Sequence, residues 1–299
     1  MGLLTTDIIK ILKNSHLGAR DKILYISSVL KLKMNRSSGP GTNNIFGFKA
    51  NYSSYDSLVH IVREIFINFC YFVKINKASP VIFDVGSNIG IASLFFKSFY
   101  PNAVIYSFEP DPDTFSLLDS NIRENNLTSV FRTKAGLSDF DGKSMLYVPQ
   151  WSNGSSSILQ EKIEIERGYA SQCFALSESN IKEKEIDVIK CSDFIRKHNI
   201  ERIDLLKIDA EGSEESIIND LRNRLDIIDF VVMEFHFSKD LFNKNSLGRI
   251  ISVLERADFI VSVIPSWFEK NPQVMCTYII RAVNGKYRYL NQGSLTELL

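Results

Sequence analysis

Two carboxylates and a glycine turn carry the first chemical signal in this sequence. Residues 81–90 (Val-Ile-Phe-Asp-Val-Gly-Ser-Asn-Ile-Gly) read as a short apolar strand that ends on Asp84 and breaks into a turn around Gly86 and Gly90. A glycine turn between a buried strand and a helix lets a ligand lie against bare backbone, where a Cβ would collide. About 20 residues further on, the strand expected at 104–108 ends in a second acid, Glu109. A carboxylate there can accept a hydrogen bond from each hydroxyl of a ribose, so the layout is that of a nucleoside site. A dinucleotide would ask for a middle glycine to admit its pyrophosphate, but Asn88 stands there and Asp84 puts negative charge where phosphates would lie. The bland alternative for Asp84 is a cap on the following helix. The matching acid at the next strand end favours a ligand.

A second set, Asp209, Glu211, Glu234 and His236, follows two later strand candidates. In an open α/β sheet the carboxyl edge of the strands is where ligands bind. Acids and an imidazole at that edge suit removal of a proton from an acceptor hydroxyl, and His236 is attractive because imidazole titrates near neutral pH. Its alternative is a structural histidine bonded within the same region. Asp209 and Glu234 could also hold a divalent cation, although the sequence assigns no metal ligand. Gly212 reads as a backbone requirement at a turn, and Glu214 and Glu215 as first-turn acids favoured by the helix dipole.

These residues need a scaffold. Strands are expected at 81–85, 104–108, 130–135, 203–208, 229–235, 258–264 and 274–281, and helices at 91–99, 113–125, 192–198, 213–221 and 245–256. The near-continuous apolar runs at 81–83, 203–208 and 230–233 predict a mostly parallel sheet between two helix layers. Too few residues separate the last two strands for a crossover helix, so they predict an antiparallel hairpin at one edge. Upstream, 45–50 reads as a strand and 56–71 as a helix. Residues 150–187 interrupt the alternation, as a lid or substrate loop would. Residues 1–44 read as an N-terminal helical extension and linker, with helices at 4–13 and 21–33 and a Ser/Gly/Pro/Asn-rich linker at 35–44, and 45–299 as the catalytic domain. The N-terminal helices carry a basic excess. That excess reads either as the solvated face of a helical cap or as a surface for peripheral association with an anionic membrane.

Composition narrows the class. The 299 residues include 44% hydrophobic positions, enough for a full core, and 35 basic residues balance 35 acidic ones. A general polyanion binder would be basic, so nucleic acid is not an expected partner. Four dispersed cysteines without a paired spacing suit a reducing compartment. No apolar run reaches membrane-spanning length, and the N-terminus does not pattern as a secretory leader, so the expected location is the cytoplasm.

The ordered set Asp84-Val-Gly-Ser-Asn-Ile-Gly90, Phe108-Glu-Pro-Asp-Pro112, Ala135-Gly-Leu-Ser-Asp139 with Gly142, Lys207-Ile-Asp-Ala-Glu-Gly212 with Glu214, and Glu234-Phe-His236 resembles the FkbM family of S-adenosylmethionine-dependent methyltransferases. The resemblance spans roughly residues 45–280 and leaves 1–44 outside. Ser87 stands where the family often has Ala, and Ala210 where Val is common. It implies a class I, Rossmann-like methyltransferase fold with a seven-stranded sheet. It places the amino-acid end of S-adenosylmethionine near Asp84, Gly86, Asn88 and Gly90, the ribose on Glu109, and the adenine near Leu137, Ser138 and Asp139. Glu64, Phe66 and Tyr71 resemble the family's upstream segment. The resemblance also implies O-methylation of a sugar, glycan or natural-product hydroxyl. Two other readings keep the pocket but change its use: a nicotinamide-dependent oxidoreductase or sugar-modifying enzyme, and a non-catalytic binding module. The missing middle glycine and the terminal hairpin count against the first, and the retained acids against the second.

Overall fold

A computed structural model describes residues 3–35, 39–149, 155–174, 181–265 and 276–287. Two helices, α1 (Leu3–Lys13) and α2 (Ala19–Met34), precede a small hairpin of β1 (Gly41–Ile45) and β2 (Phe48–Tyr52). Helix α3 (Tyr55–Val62) leads into β3 (Val81–Val85), α4 (Ile91–Phe99), β4 (Val104–Phe108), α5 (Pro112–Glu124) and β5 (Val130–Thr133). Then come β6 (Gly136–Ser138), β7 (Gly142–Pro149), α6 (Gln160–Phe174) and β8 (Ile181–Lys190). The chain continues through α7 (Cys191–Lys197), β9 (Ile203–Ile208), α8 (Glu214–Asp220), β10 (Ile228–Phe237), α9 (Leu247–Arg256), β11 (Phe259–Pro265) and β12 (Cys276–Asn284).

Seven strands form the main sheet in the order β5-β4-β3-β9-β10-β12-β11. The strands from β5 to β10 are parallel, and β12 runs antiparallel between β10 and β11. The expected terminal hairpin is present, with its second strand inserted inside the edge. Alternate residues of each strand enter opposite layers, as a pleated strand requires. Ile82, Ile105, Leu205 and Val232 join one core, and Phe83, Phe108, Leu206 and Met233 the other. Ile11, Tyr25, Val29 and Leu32 of the N-terminal helices belong to the first of these cores. Burial at about 1.5–3 kcal/mol per large apolar side chain keeps α2 docked there.

Three local expectations need correction. The strand expected at 45–50 is a hairpin, and β1 takes up part of the expected linker. Its two-residue turn puts both Phe46 (φ 50°) and Gly47 (φ 88°) in left-handed backbone, the form that matches strand twist. A buried phenylalanine is not a turn signal, because burial rather than local preference holds it there. The helix expected over 56–71 stops as an α-helix at Val62 and becomes a π-turn at Arg63–Ile67, where Asn68 N–H donates to the Arg63 carbonyl at 2.8 Å. The segment expected as a loop insertion contains α6 and the first part of β8, which pairs with β7 over eight positions in a three-stranded sheet with β6. The outward charges of β8 hide its strand period, while Ile186 and Val188 are buried beneath. Glu214 and Glu215 stand in the first turn of α8 as expected, and both are buried.

Candidate active site

Strand order reverses between β3 and β9, so their carboxyl ends diverge and open a crevice. Two chain crossings define it. Gly86 N–H and Ser87 N–H both donate to the Phe108 carbonyl (3.0 and 2.9 Å), and Asp209 N–H donates to Val85 at 3.1 Å. Gly86 has φ 71°, and a Cβ there would lie 1.8 Å from the Asp209 carbonyl oxygen. Gly86→Ala is therefore expected to cost about 2–4 kcal/mol from overpacking and left-handed strain together. Melting curves with and without S-adenosylhomocysteine check it. An unshifted midpoint with normal ligand stabilisation would show that the turn tolerates a side chain.

The crevice holds about 760 Å³ of empty space, its open mouth and the solvent there included. Gly86, Asn88, Glu109, Leu137, Asp209 and Glu211 are among its lining residues. Glu109 is fixed from both sides. Asn88 N–H donates to Oε2 and Asp111 N–H to Oε1, each at 2.9 Å. Burial outweighs those donors and raises its pKa to about 7. Asn88 is left-handed (φ 50°), a conformation asparagine tolerates.

The other predicted cofactor residues stand behind this wall. Asp84 is fully buried, accepts from Ser93 Oγ at 2.7 Å and pairs with Lys207 Nζ at 3.2 Å. Lys207 also donates to the carbonyls of Val85 (3.1 Å) and Gly86 (2.7 Å), so the pair braces the turn. Gly90 starts α4 with φ 89° and packs against Leu118. Ser138 is buried and bonds Asp139 at 3.3 Å, while its neighbours Gly136 and Leu137 line the crevice.

Beside the crevice, the structure gathers all four residues of the second set. The Tyr71 hydroxyl lies 3.0 Å from Asp209 Oδ2 and 3.0 Å from Glu234 Oε2. One phenolic proton serves one acceptor at a time, so the second contact is best satisfied by a proton on a carboxyl. Burial and the neighbouring Asp209 push Glu234 up to about 7, and burial also raises Asp209. Glu64, in the π-turn, is pushed up to about 9 by burial and by Glu234, Asp209 and Glu211, and is protonated at neutral pH.

His236 differs from the sequence expectation of a neutral base. Its Nε2 is 3.2 Å from Glu211 and its Nδ1 3.2 Å from Glu214. Burial opposes its charge, but these two carboxylates outweigh burial and raise its pKa to about 10. At neutral pH the ring is an imidazolium without a free lone pair. Glu214 is itself fixed by Gly212 N–H (3.0 Å) and Asn245 Nδ2 (2.6 Å). Glu211 is ionised despite burial, because His236 and Lys162 offset it.

Lys162 was not singled out by sequence. It comes from α6, is completely buried, and pairs with Glu211 and with Glu166 (2.9 Å). Ser157 Oγ donates to the Glu211 carbonyl at 2.6 Å, so the inserted segment is latched to this acid. Nothing in the local sequence around Lys162 could have shown the pairing. Lys207 did leave a signal, a lysine inside an otherwise apolar strand.

The ligand atoms of Asp209, Glu211 and His236 lie within 4.8 Å of one another, which would suit a metal ion geometrically. Two of these donors are otherwise engaged. Glu211 is committed to Lys162, and His236 is held protonated between two carboxylates.

A parallel sheet closed by an inserted antiparallel strand, with a glycine turn and a braced strand-end acid at its switch point, defines a class I methyltransferase of Rossmann-like architecture. The methyltransferase FkbM domain matches residues 84–261, and the chain belongs to that family of S-adenosylmethionine-dependent methyltransferases. "Methyltransferase 1" of Beauveria bassiana is 32% identical, over 74% of this chain and 89% of its own. The "31-O-demethyl-FK506 methyltransferase FkbM" of Streptomyces tacrolimicus is 27% identical, over 67% and 81% respectively. The "Hexuronic acid methyltransferase AglP" of Haloferax volcanii is 26% identical, over 62% and 71%. Among the described residues no helix is long and apolar enough to cross a membrane.

Proposed function

We propose that the enzyme methylates a hydroxyl on a sugar, glycan or other polyhydroxylated small molecule held over Tyr71, Asp209 and Glu234. The observation that carries this is one continuous arrangement. Asp209 lines the crevice and shares Tyr71 with Glu234, so a proton-accepting carboxyl stands next to the methyl-donor pocket. The name of one relative, a 31-O-demethyl compound's methyltransferase, supports an oxygen acceptor, and that of another, a hexuronic acid methyltransferase, supports a sugar-derived acceptor.

When bound, S-adenosylmethionine supplies an electrophilic methyl group on a sulfonium. Gly86 and Asn88 would receive its amino-acid end against the backbone, and Glu109 its ribose hydroxyls. Asp209 offers negative charge next to the cationic sulfur site. Glu234 is the general base, because its carboxyl titrates near neutral pH and its contact with the His236 ring, at 4.0 Å, is longer than a hydrogen bond. The His236 imidazolium, 4.0 Å from Glu234, would help hold the deprotonated carboxylate. A divalent cation in this site would have to displace Lys162 and deprotonate His236, so the reading uses none.

Incubation with methyl-labelled S-adenosylmethionine and a panel of neutral glycans, uronic acids and polyols tests the proposal. Label in an alkali-stable ether linkage is the expected result. Label recovered only on nitrogen or carboxyl groups would overturn it.

A further inference from the structure

Most proteins expose a few large apolar side chains singly, and those need no explanation. Here six of the eleven among the described residues lie on α1 and α2: Ile9, Leu12, Ile23, Leu24, Leu30 and Met34, the last 82% exposed. Their arrangement is regular. Helix α2 turns Tyr25, Ser28, Val29 and Leu32 into the core. On the opposite side Ile23, Leu30 and Met34 are exposed and, with half-buried Ser27 between them, follow the i, i+4, i+7, i+11 spacing of a second stripe. A surface helix needs one apolar stripe to dock. This one has two.

Charge follows the outer stripe. Helical spacing puts Arg20 and Lys31 along one edge of it and Lys22 and Lys33 along the other. Lys22 also donates to the Leu12 carbonyl at 2.8 Å, which ties α2 to α1, where Lys13 stands beside Ile9 and Leu12. Residues 3–35 hold six basic side chains and two acidic ones, in a chain whose charges balance overall at 35 and 35. One of the two acids, Asp7, is buried and paired with Arg63 at 2.7 Å.

We propose that α1 and α2 form an interfacial anchor that seats on an anionic lipid surface, with the outer apolar stripe immersed and Arg20, Lys22, Lys31 and Lys33 at headgroup level. Protein interfaces are depleted in lysine, whereas helices lying in a lipid interface carry Lys and Arg beside an apolar face. A symmetric contact between two copies would bring the same basic edges together, which like charges oppose. The inference is independent of the acceptor proposed above, and S-adenosylhomocysteine binding serves only as a control for folding.

The full chain is sedimented with vesicles of phosphatidylcholine alone and of phosphatidylcholine with about 30% phosphatidylglycerol, at low and moderate salt. The bound fraction is expected to be at least about fivefold higher on the anionic vesicles and to fall as salt rises. The Ile23→Glu/Met34→Glu double variant is expected to lose about tenfold or more in binding, with an unchanged melting midpoint. The Lys31→Glu/Lys33→Glu variant, at exposed positions, is expected to lose the preference for anionic vesicles. If the first variant fails to fold, the second decides alone. Absent binding to anionic vesicles at low salt, or binding equal in wild type and both variants, overturns the proposal. A dimer that Ile23→Glu/Met34→Glu dissolves, without vesicle binding by the wild type, also overturns it and assigns the stripe to a second copy.

Discussion

Replacing Glu109 with alanine is expected to weaken S-adenosylhomocysteine binding roughly ten- to 150-fold, the equivalent of about 1.5–3 kcal/mol for hydrogen bonds to a charged group. The geometry makes this a demanding position. Each carboxylate oxygen already accepts one backbone N–H, from Asn88 or Asp111, and keeps a lone pair for a ribose hydroxyl. Alanine would remove the ribose partner and also strand two donors at the pocket wall. Glu109→Gln separates the two effects, since its amide keeps one acceptor oxygen and places a donor where the other backbone N–H points. Affinity should also depend on pH. The raised Glu109 pKa of about 7 means that the accepting, ionised form is lost as pH falls through neutrality, so Kd should rise below about pH 7 and flatten above it. Calorimetry across that range provides the check. Tight binding by a folded Glu109→Ala protein would remove the ribose from this residue.

Legibility in the sequence followed how far each feature depends on distant contacts. The inner strands β3, β9 and β10 could be read because they bury both faces and so appear as apolar runs. Asp84, Gly86 and Glu109 could be placed at the sheet's switch point because strand, turn and acid are adjacent in sequence. Their division of labour could not. Asp84 belongs to a brace with Lys207, whose strand lies 123 positions further along the chain. His236 was legible as a candidate by its spacing from Glu234, but its charge is set by Glu211, Glu214 and Lys162 from three other segments. The same holds for Tyr71, which reaches two strand ends from a turn that periodicity alone extends as helix. The second stripe on α2 failed to register for a different reason. Apolar residues on opposite faces cancel in any one-sided measure of amphipathicity, so the helix reads as weakly patterned.

Glu234→Gln is expected to lower kcat by about 10²–10⁴-fold, the usual contribution of a general base, while leaving cofactor affinity within about twofold. Four candidates for the base stand close together, and their environments separate them. His236 is an imidazolium up to about pH 10 and has no lone pair to offer at neutral pH. Glu211 is ionised but shared between Lys162 and His236, so a proton placed on it would break both pairs. Asp209 and Glu234 remain, and Asp209 lines the crevice, where in the proposed mechanism its charge would serve the sulfonium. Glu234 is thus the group whose protonation state can change during a turnover. Because its pKa is about 7, the competent carboxylate is depleted below that pH, and log kcat should climb with unit slope up to about pH 7 and then level off. Asp209→Asn should instead raise the KM for S-adenosylmethionine and shift this limb to lower pH, since removing a neighbouring negative charge makes Glu234 easier to ionise. A flat profile through neutrality, or a Glu234→Gln enzyme with undiminished kcat, would transfer the base role to Asp209 and leave Glu234 as its hydrogen-bonded support.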